Sequence, residues 1–570
     1  MRFYRIYFLM ALCLFIFSLL LAKVFYYQLV KGELITKQAI SMRSKEIALN
    51  EYSRGTIYDR NLLALTNNHS VAALYVLPEE IKKAYGKNSI GERELGDFSR
   101  QLAKDLTSLN EVKITNSLSL GIKKGQPMIR LASNLTGEEV AIISNSNLPG
   151  IVVAPLISRY DDSLICRHVL GYVTDSSEPI GVTGIEKLYN DILNNNRAGW
   201  QLTFINDAKG QPIKGLMYKL RNNSNGNSSV VLTIDKRVQE IVEKALVSKM
   251  AKGAVVVLDI KSKEILALAS RPTYNPNFVS NIINDENSPL INRATNVYYP
   301  GSLFKILLAA AALEEDIVSF DDKFYCDGAY QFTDTLAISC LKKDGHGDLS
   351  FFSAFANSCN PVFIEVGLKL QREKIMEYVH KFHLTDESIQ GWFESEGTKS
   401  YVNIKPGPAG IGNACLGQEG VMLTPLNLAN LIATIADNGR WGKPLIVKYA
   451  INQNGEKSLV KRNEYEQVIS KDTAVKVQKL MEEVIGSGTG KRAALSGVQV
   501  AGKTATSQTG NYNEDDEEWL NTWFGGYLPA DNPKWAIVVM VEKGTSGSVN
   551  AAPIFREISE GLLNLFSVLE

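Results

Sequence analysis

The sequence predicts an α+β protein made of a membrane helix, an N-terminal folded segment and a larger domain in which helices cover an antiparallel sheet. Three observations lead to it. One apolar run with basic residues ahead of it sits at the N-terminus; a tract of turn formers, RNNSNGNSS at 221–229, divides the remainder; and strand patterns bracket a long helical stretch in the second part. Strands at both ends with helices between them require a sheet assembled from distant segments of chain.

At 570 residues the chain exceeds one ordinary core. Lys plus Arg equals Asp plus Glu, so the formal charge is zero and the basic footprint of a nucleic-acid binder is absent. In the first element, MRFYRIYFLMALCLFIFSLLLAKVFYYQL, Arg2 and Arg5 precede an apolar run over 6–22, and Lys23, Tyr26 and Tyr27 follow it. At about 1.5 Å per residue this run just crosses a hydrocarbon core, and the aromatics suit its interfaces. The expectation is a single-pass signal anchor over 1–30 in the plasma membrane, with a cytoplasmic N-terminus and an extracytoplasmic body. A cleaved signal peptide is the alternative, weakened by the poor small-residue site at Leu20 and Ala22.

Residues 31–229 alternate short apolar runs with polar helices such as 94–110 and form the second division; 230–570 form the third. VVLTID at 230–235 reads as a strand and 236–250 as a helix. AVVVLDIKSKEILALAS at 254–270 reads as a hairpin about a Lys-Ser-Lys turn. Helical patterns fill the middle, and strands return near 499–505, 522–527 and 535–541.

The chemistry centres on YYPGSLFKILLAAAAL, 298–313, where Lys305 is the single charge between Leu303 and Leu313. A helix apolar on all sides is buried, and a buried lysine is costly unless it has a task. Ser302 lies one turn before it, within reach of an amine that burial would leave partly neutral and basic near pH 7. Ser-x-x-Lys alone is weak evidence: Ser458 and Lys461 repeat the spacing in a solvated, charged setting. Ser-x-Asn is weak too, since 108–110 and 548–550 also carry it. The order is informative: Ser302 and Lys305, then Ser358-Cys359-Asn360, then Lys503-Thr504 in VAGKTATSQTG.

That ordered set resembles the penicillin-recognising serine transpeptidases, with Ser-x-x-Lys, Ser-x-Asn and Lys-Thr-Gly in that order. RGTIYDRN at 54–61, HVLGYV at 168–173 and GVTGIEKLYNDIL at 181–193 are similar to the pedestal of class B penicillin-binding proteins, with Leu62 where the family has glycine. GQEGVMLTPLNLAN at 417–430 and WFGGYLPADNPKWAIVVMVEKG at 523–544 are similar to its later landmarks. The resemblance implies an elongated α+β pedestal over 31–229 and a transpeptidase domain over 230–570 whose sheet is joined by an all-helical lobe. It is closest to elongation- and sporulation-type members without appended C-terminal repeats.

It also implies roles. Ser302 attacks the carbonyl between two terminal D-alanines of a peptidoglycan stem peptide, Lys305 takes its proton, and Ser358 relays a proton to the departing D-alanine. Asn360 holds the substrate backbone and Lys305. Lys503 and Thr504 bind the donor carboxylate, and the positive charge of Lys503 disfavours protonation of Lys305. The amides of Ser302 and Thr506 form the oxyanion hole. Ala505 stands where the family has glycine; its methyl is expected to face the domain body at a crowding cost of about 1–3 kcal/mol, with a shifted strand. D,D-carboxypeptidase side activity, β-lactam inhibition, lipid-linked precursors, a separate membrane glycan polymerase and cell-wall complex proteins as partners belong to the same expectation. A β-lactamase or a penicillin-sensing receptor is the alternative.

No cofactor is expected for acyl transfer. Cys326, Cys340, His346 and Cys359 nevertheless fall close together between the first two motifs, a full tetrahedral zinc set in number and type. The family resemblance raises that reading; a disulfide involving Cys340 and free thiols are the other two. Asp327 and Asp344 are substitute ligands. The acidic run EDDEE, 514–518, is expected to be a solvated loop.

Overall fold

The computed structural model describes residues 2–35, 38, 44–49, 54–85, 91–106, 109–146, 148–161, 163–174, 179–194, 200–205, 219–222, 228–247, 249–389, 392, 398–460 and 465–567. Helix α1 (Arg2–Phe25) continues into a wider turn over Tyr26–Val30. Among the described residues, Phe3–Val30 is the one helix long and apolar enough to cross a membrane, with a mean hydropathy of 2.6. The chain divides into two units, Met1–Ser53 with His69–Ser158 and Arg197–Asn225, and Arg54–Asn68 with Arg159–Asn196 and Gly226–Glu570.

In the first unit, β1 (His69–Val76) lies between β2 (Ile129–Ser133) and β3 (Ile151–Ser158), antiparallel to both. The period of two sends Leu74 and Val76 to one face, where they meet Phe98 and Leu102 of α2 (Glu92–Asp105), Leu118 of α3 (Glu111–Lys123) and Ile143 of α4 (Gly137–Asn145). The helix expected over 94–110 is shorter. It stops at Asp105, and the Asn110 side chain caps α3 by accepting from Val112 N, the local bonding through which Asn favours helix starts over interiors. Thr107 and Ser108 lie outside the described residues. A separate sheet joins Ser44–Leu49, Trp200–Ile205 and Lys219–Asn222. Arg221 and Asn222 thus belong to a strand and Ser229 opens the next one, Ser229–Leu232, so the tract 221–229 is a linker in its middle at most, where 223–227 lie outside the described residues.

The second unit explains the RGTIYDRN segment. Ile57 and Tyr58 pair in parallel with Val230 and Val231. Asp59 accepts from the amides of Asn61 and Leu63, both at 2.8 Å, and from Lys236 N at the start of α5 (Lys236–Leu246) at 3.1 Å. Leu62 has a φ of 64°, the left-handed region that glycine enters freely and leucine does not. Arg54 donates to Glu186 of GVTGIEKL at 2.5 Å, and Arg159 and Tyr160 reach the other carboxylate oxygen, leaving Glu186 fully buried but bonded on both sides.

The central sheet of this unit contains β4 (Gly253–Asp259), β5 (Ile265–Arg271), β8 (Ala501–Tyr512), β9 (Glu518–Leu528) and β10 (Trp535–Gly544), in the order β5-β4-β10-β9-β8 and antiparallel throughout. Val255, Val257, Ile537 and Val539 face α5 and α12 (Ala552–Ser567). Val256, Leu258, Val538 and Met540 face α6 (Lys305–Glu314), α8 (Asn360–Lys381) and α10 (Pro425–Ala436), part of the helical lobe that also holds α7 (Phe351–Ala356), α9 (Pro408–Cys415) and α11 (Lys471–Gly486). In the Lys-Ser-Lys turn Lys263 is fully buried, and its ammonium caps the end of α10, donating to Ala433 O at 3.2 Å beside Asp437. Strand β8 lies at the sheet edge, which leaves one side of its backbone open.

Candidate active site

Ser302 sits in a short 3-10 turn, Gly301–Leu303, directly before α6. Gly301 has a φ of 57° and donates to Gly417 O at 3.0 Å, which fixes the turn against GQEG. Lys305 begins α6 and is fully buried. Its ammonium donates to Asn360 Oδ1 at 2.8 Å, to Ser358 O at 2.9 Å and weakly to Ser358 Oγ at 3.5 Å. Ser358 Oγ donates in turn to Ser302 Oγ at 2.9 Å. The link between base and nucleophile therefore runs through Ser358 rather than directly across one helical turn. Ser358 has a φ of 56°, a strained conformation for a residue with a Cβ. It does not cap α8, whose N-cap is Cys359 with no side-chain bond.

Burial pulls the Lys305 ammonium down to about 8, with the neighbouring thiols of Cys359, Cys340 and Cys415 partly opposing it. Burial first, and the Lys305 charge second, hold Lys503 well below its ordinary value. Lys503 is fully buried on β8, 5.6 Å from the Phe355 ring, and no carboxylate pairs with it among the described residues. An anion arriving at its ammonium would restore the charged form.

Thr504 Oγ1 lies 2.5 Å from Thr489 Oγ1, a partner that the sequence did not mark. Thr489 follows α11 in a glycine-rich loop, and Gly488 next to it approaches Ala356 so closely that a Cβ would lie 2.4 Å from Ala356 O. Thr506 Oγ1 accepts from Gly547 N at 3.3 Å. Ala505 is buried, pairs with Trp523, and points to the domain core as expected. It does not crowd. A methyl built on Gly301 would lie 3.4 Å from the Ala505 Cβ, so the Ala505 methyl occupies room that Gly301 leaves, and the β8–β9 register runs unbroken from Ala501 to Gln508. Gly301, which has no Cβ, faces the methyl, and the pairing stays regular past Ala505.

Between α6 and α7, β6 (Ala329–Thr333) and β7 (Leu336–Ser339) form a hairpin. Asn360 Nδ2 donates to Ser339 O of β7 at 3.0 Å, so both ends of the Asn360 amide are bonded and its orientation is fixed. Beside this contact the donor atoms of Cys326, Cys340, His346 and Cys359 all lie within 4.8 Å of one another, with Cys340 Sγ 3.5 Å from His346 Nδ1. Asp327 and Asp344 are exposed and outside that set. A hydrogen bond from Cys359, helped by His346, holds the Cys340 thiol below its ordinary value, while the same bond and burial push Cys359 up. All six cysteines are unlinked. Cys415 packs against Gly367, where a Cβ would meet its sulfur at 2.0 Å, and Cys166 is buried at the start of the HVLG turn.

The other copies of the short motifs have structural duties or none. Asn110 caps a helix, Asn550 Oδ1 gathers Thr545 N and Ser546 N in a turn, and Ser458 is exposed, with Lys461 outside the described residues. Residues 514–517 of the acidic run lie at the exposed tip joining β8 and β9, and Glu518 opens β9 opposite Tyr512.

Two family models match the chain: the penicillin binding protein transpeptidase domain over residues 253–560 and the penicillin-binding protein dimerisation domain over residues 50–232. The chain is 31% identical to stage V sporulation protein D of Bacillus subtilis, covering 97% of this chain and 84% of that protein. It is 27% identical to peptidoglycan D,D-transpeptidase MrdA of Haemophilus influenzae, with 90% and 84% covered. Among solved structures it resembles the D,D-transpeptidase domain of a peptidoglycan glycosyltransferase from Eggerthella lenta, at a TM-score of 0.59 and 26% identity, over 74% of this chain and 94% of that one.

Proposed function

The chain belongs to the penicillin-binding protein transpeptidases, and from that premise we propose that it cross-links peptidoglycan through an acyl-enzyme on Ser302. Its activity is that of a peptidoglycan D,D-transpeptidase, with stem peptides as substrates and β-lactams as inhibitors. The observation that carries the serine mechanism is the chain of contacts Lys305, Ser358, Ser302 around a buried lysine.

Ser302 Oγ attacks the carbonyl carbon of the penultimate D-alanine. Its proton passes to Ser358 Oγ as Ser358 donates to neutral Lys305, and returns by the same route to the nitrogen of the departing D-alanine. The amides of Ser302 and Thr506 stabilise the oxyanion. Lys503 and Thr504 take the donor carboxylate, and Asn360 holds the donor backbone. An amine of a second stem peptide then attacks the ester and leaves Ser302 free; water in its place would give a carboxypeptidase side reaction. Ala505 is assigned to this site as the residue that seats the Ser302 turn.

The chain is a single-pass membrane protein in this reading, with the N-terminus cytoplasmic, the pedestal over 31–229 and the catalytic domain over 230–570 outside. A separate membrane glycan polymerase, lipid-linked precursors and cell-wall complex proteins are its proposed partners. The donor set of Cys326, Cys340, Cys359 and His346 fits a structural zinc: tetrahedral thiolates at about 2.3 Å from zinc stand about 3.8 Å apart, and these four donors already converge within 4.8 Å. A Cys340 disulfide would use two donors and leave a third thiol and an imidazole converging without purpose. Bound zinc would supply rigidity at Ser358 and Asn360 and no step of acyl transfer.

The test is mass spectrometry of the protein after incubation with a β-lactam. One adduct on Ser302 that persists for hours, is absent in Ser302→Ala, and yields to an amine acceptor supports the reading. Release within minutes to water would make the chain a β-lactamase and overturn it.

A further inference from the structure

The β6–β7 hairpin presents a second open strand edge at the site. In an antiparallel pair, residues alternate between those that bond across the pair and those whose N–H and C=O point away. Cys340 N donates to Gly328 O at 2.7 Å, which makes that position a bonded one. One step in, Ala329 and Ser339 are then an outward pair, Tyr330 and Ile338 a bonded pair, and Gln331 and Ala337 outward again. The Ser339 carbonyl agrees with this phase, because it reaches outward to Asn360 Nδ2. Ala337 therefore offers its N–H and C=O on the same side, on an exposed stretch of a sheet that has two strands among the described residues.

Resting on the reading that Asn360 holds the donor backbone, we propose that the outer edge of β7 binds the donor stem peptide upstream of its terminal D-alanines, by strand addition to Ala337. The continuity is chemical. Asn360 Nδ2 has two hydrogens; Ser339 O takes one and the other is left for a substrate carbonyl. A peptide bonded there arrives at the next outward group of the same edge. An open edge is otherwise an invitation to wrong pairing, and a substrate strand gives it a use. Recognition through main-chain groups also suits a peptide containing D-residues, whose side chains a strand-reading pocket would misplace.

Ala337→Pro removes the outward N–H and leaves the bonded pair Tyr330–Ile338 intact. In the full-length protein in detergent, kcat/KM is measured for two thioester donors, one with a minimal acyl group and one carrying the whole stem. The ratio of long to short is expected to fall about tenfold, the worth of one main-chain hydrogen bond. Ala337→Ser should keep the ratio, and Ser339→Pro, which removes the neighbouring outward N–H, should lower it. A ratio unchanged in Ala337→Pro and Ser339→Pro, while both donors still acylate Ser302, overturns the proposal alone. Wild-type protein that takes neither donor overturns the acyl-enzyme reading with it. A loss confined to the KM of the amine acceptor overturns the donor assignment.

Discussion

Removing one methyl, Ala505→Gly, separates two accounts of the strand that carries Lys503. If the methyl crowded the site, its loss would relieve strain and raise stability. The structure predicts the reverse, because the methyl is buried beside the Gly301 turn, where glycine leaves it room. Its removal forfeits about 0.8 kcal/mol of burial, and glycine within a strand costs roughly a further 0.5–1 kcal/mol in chain entropy. The sum, about 1.5 kcal/mol, against an unfolding entropy of about 2.1 cal/mol/K per residue over a domain of this size, lowers Tm by about 2 °C. The same methyl lies beside the Gly301–Leu303 turn that carries Ser302. If the whole loss fell on the transition state, acylation would slow by about tenfold, which is the upper bound. Differential scanning calorimetry and β-lactam acylation rates read the two effects. A higher Tm in Ala505→Gly, or an acylation rate above that of wild type, would refute the reasoning.

Acylation should rise with pH about tenfold per unit and level off near pH 8, since Lys305 must be neutral to accept a proton and burial places its transition at about 8; a flat profile between pH 6 and 9 contradicts that role. His168 is buried, its Nε2 donates to Pro289 O at 2.7 Å, and burial lowers its value to about 4. Folded His168 stays neutral while the unfolded chain takes a proton below about 6.5, so stability present above that pH is lost as pH falls to 4, by about 3 kcal/mol; His168→Gln should flatten this limb of the melting profile. Arg54→Ala strands half of the Glu186 carboxylate in the interior and should cost about 3–5 kcal/mol, whereas Arg54→Leu with Glu186→Leu recovers much of it; equal melting of the single and double variants would argue against the pairing. Metal analysis should find one zinc per chain, with three more titratable thiols after chelation and a lower Tm; two thiols protected in the absence of zinc would favour the disulfide.

The residues whose chemistry is costly out of context were the legible ones. A lysine in an all-apolar helix, two hydroxyls at fixed spacing and a lone cation among threonines each needed a reason, and the structure brings Ser302, Lys305, Ser358 and Asn360 into one network. Thr489 and Ser339 gave no such signal: one is a hydroxyl in a glycine-rich loop, the other acts through its backbone, and both reach the site by tertiary packing. The duty of Lys263 was equally hidden, because it depends on α10 presenting its open carbonyls to the turn. The strands of the central sheet were legible from period two and β-branching, while the break at Leu106 was hidden because amphipathic spacing continues across it.

The bonds of Asp59 also bear on the order in which this protein can mature. Synthesis delivers residues 54–68 long before Lys236 and Glu264, yet Asp59 holds the first amide of α5 and Arg60 pairs with Glu264 at 3.1 Å. The early segment must wait as an unsatisfied strand and capping group until its distant partners emerge. A fragment begun at residue 230 would therefore lack part of its own catalytic unit, and genetic fusions or truncations that separate the two stretches should fail at assembly before they fail at chemistry.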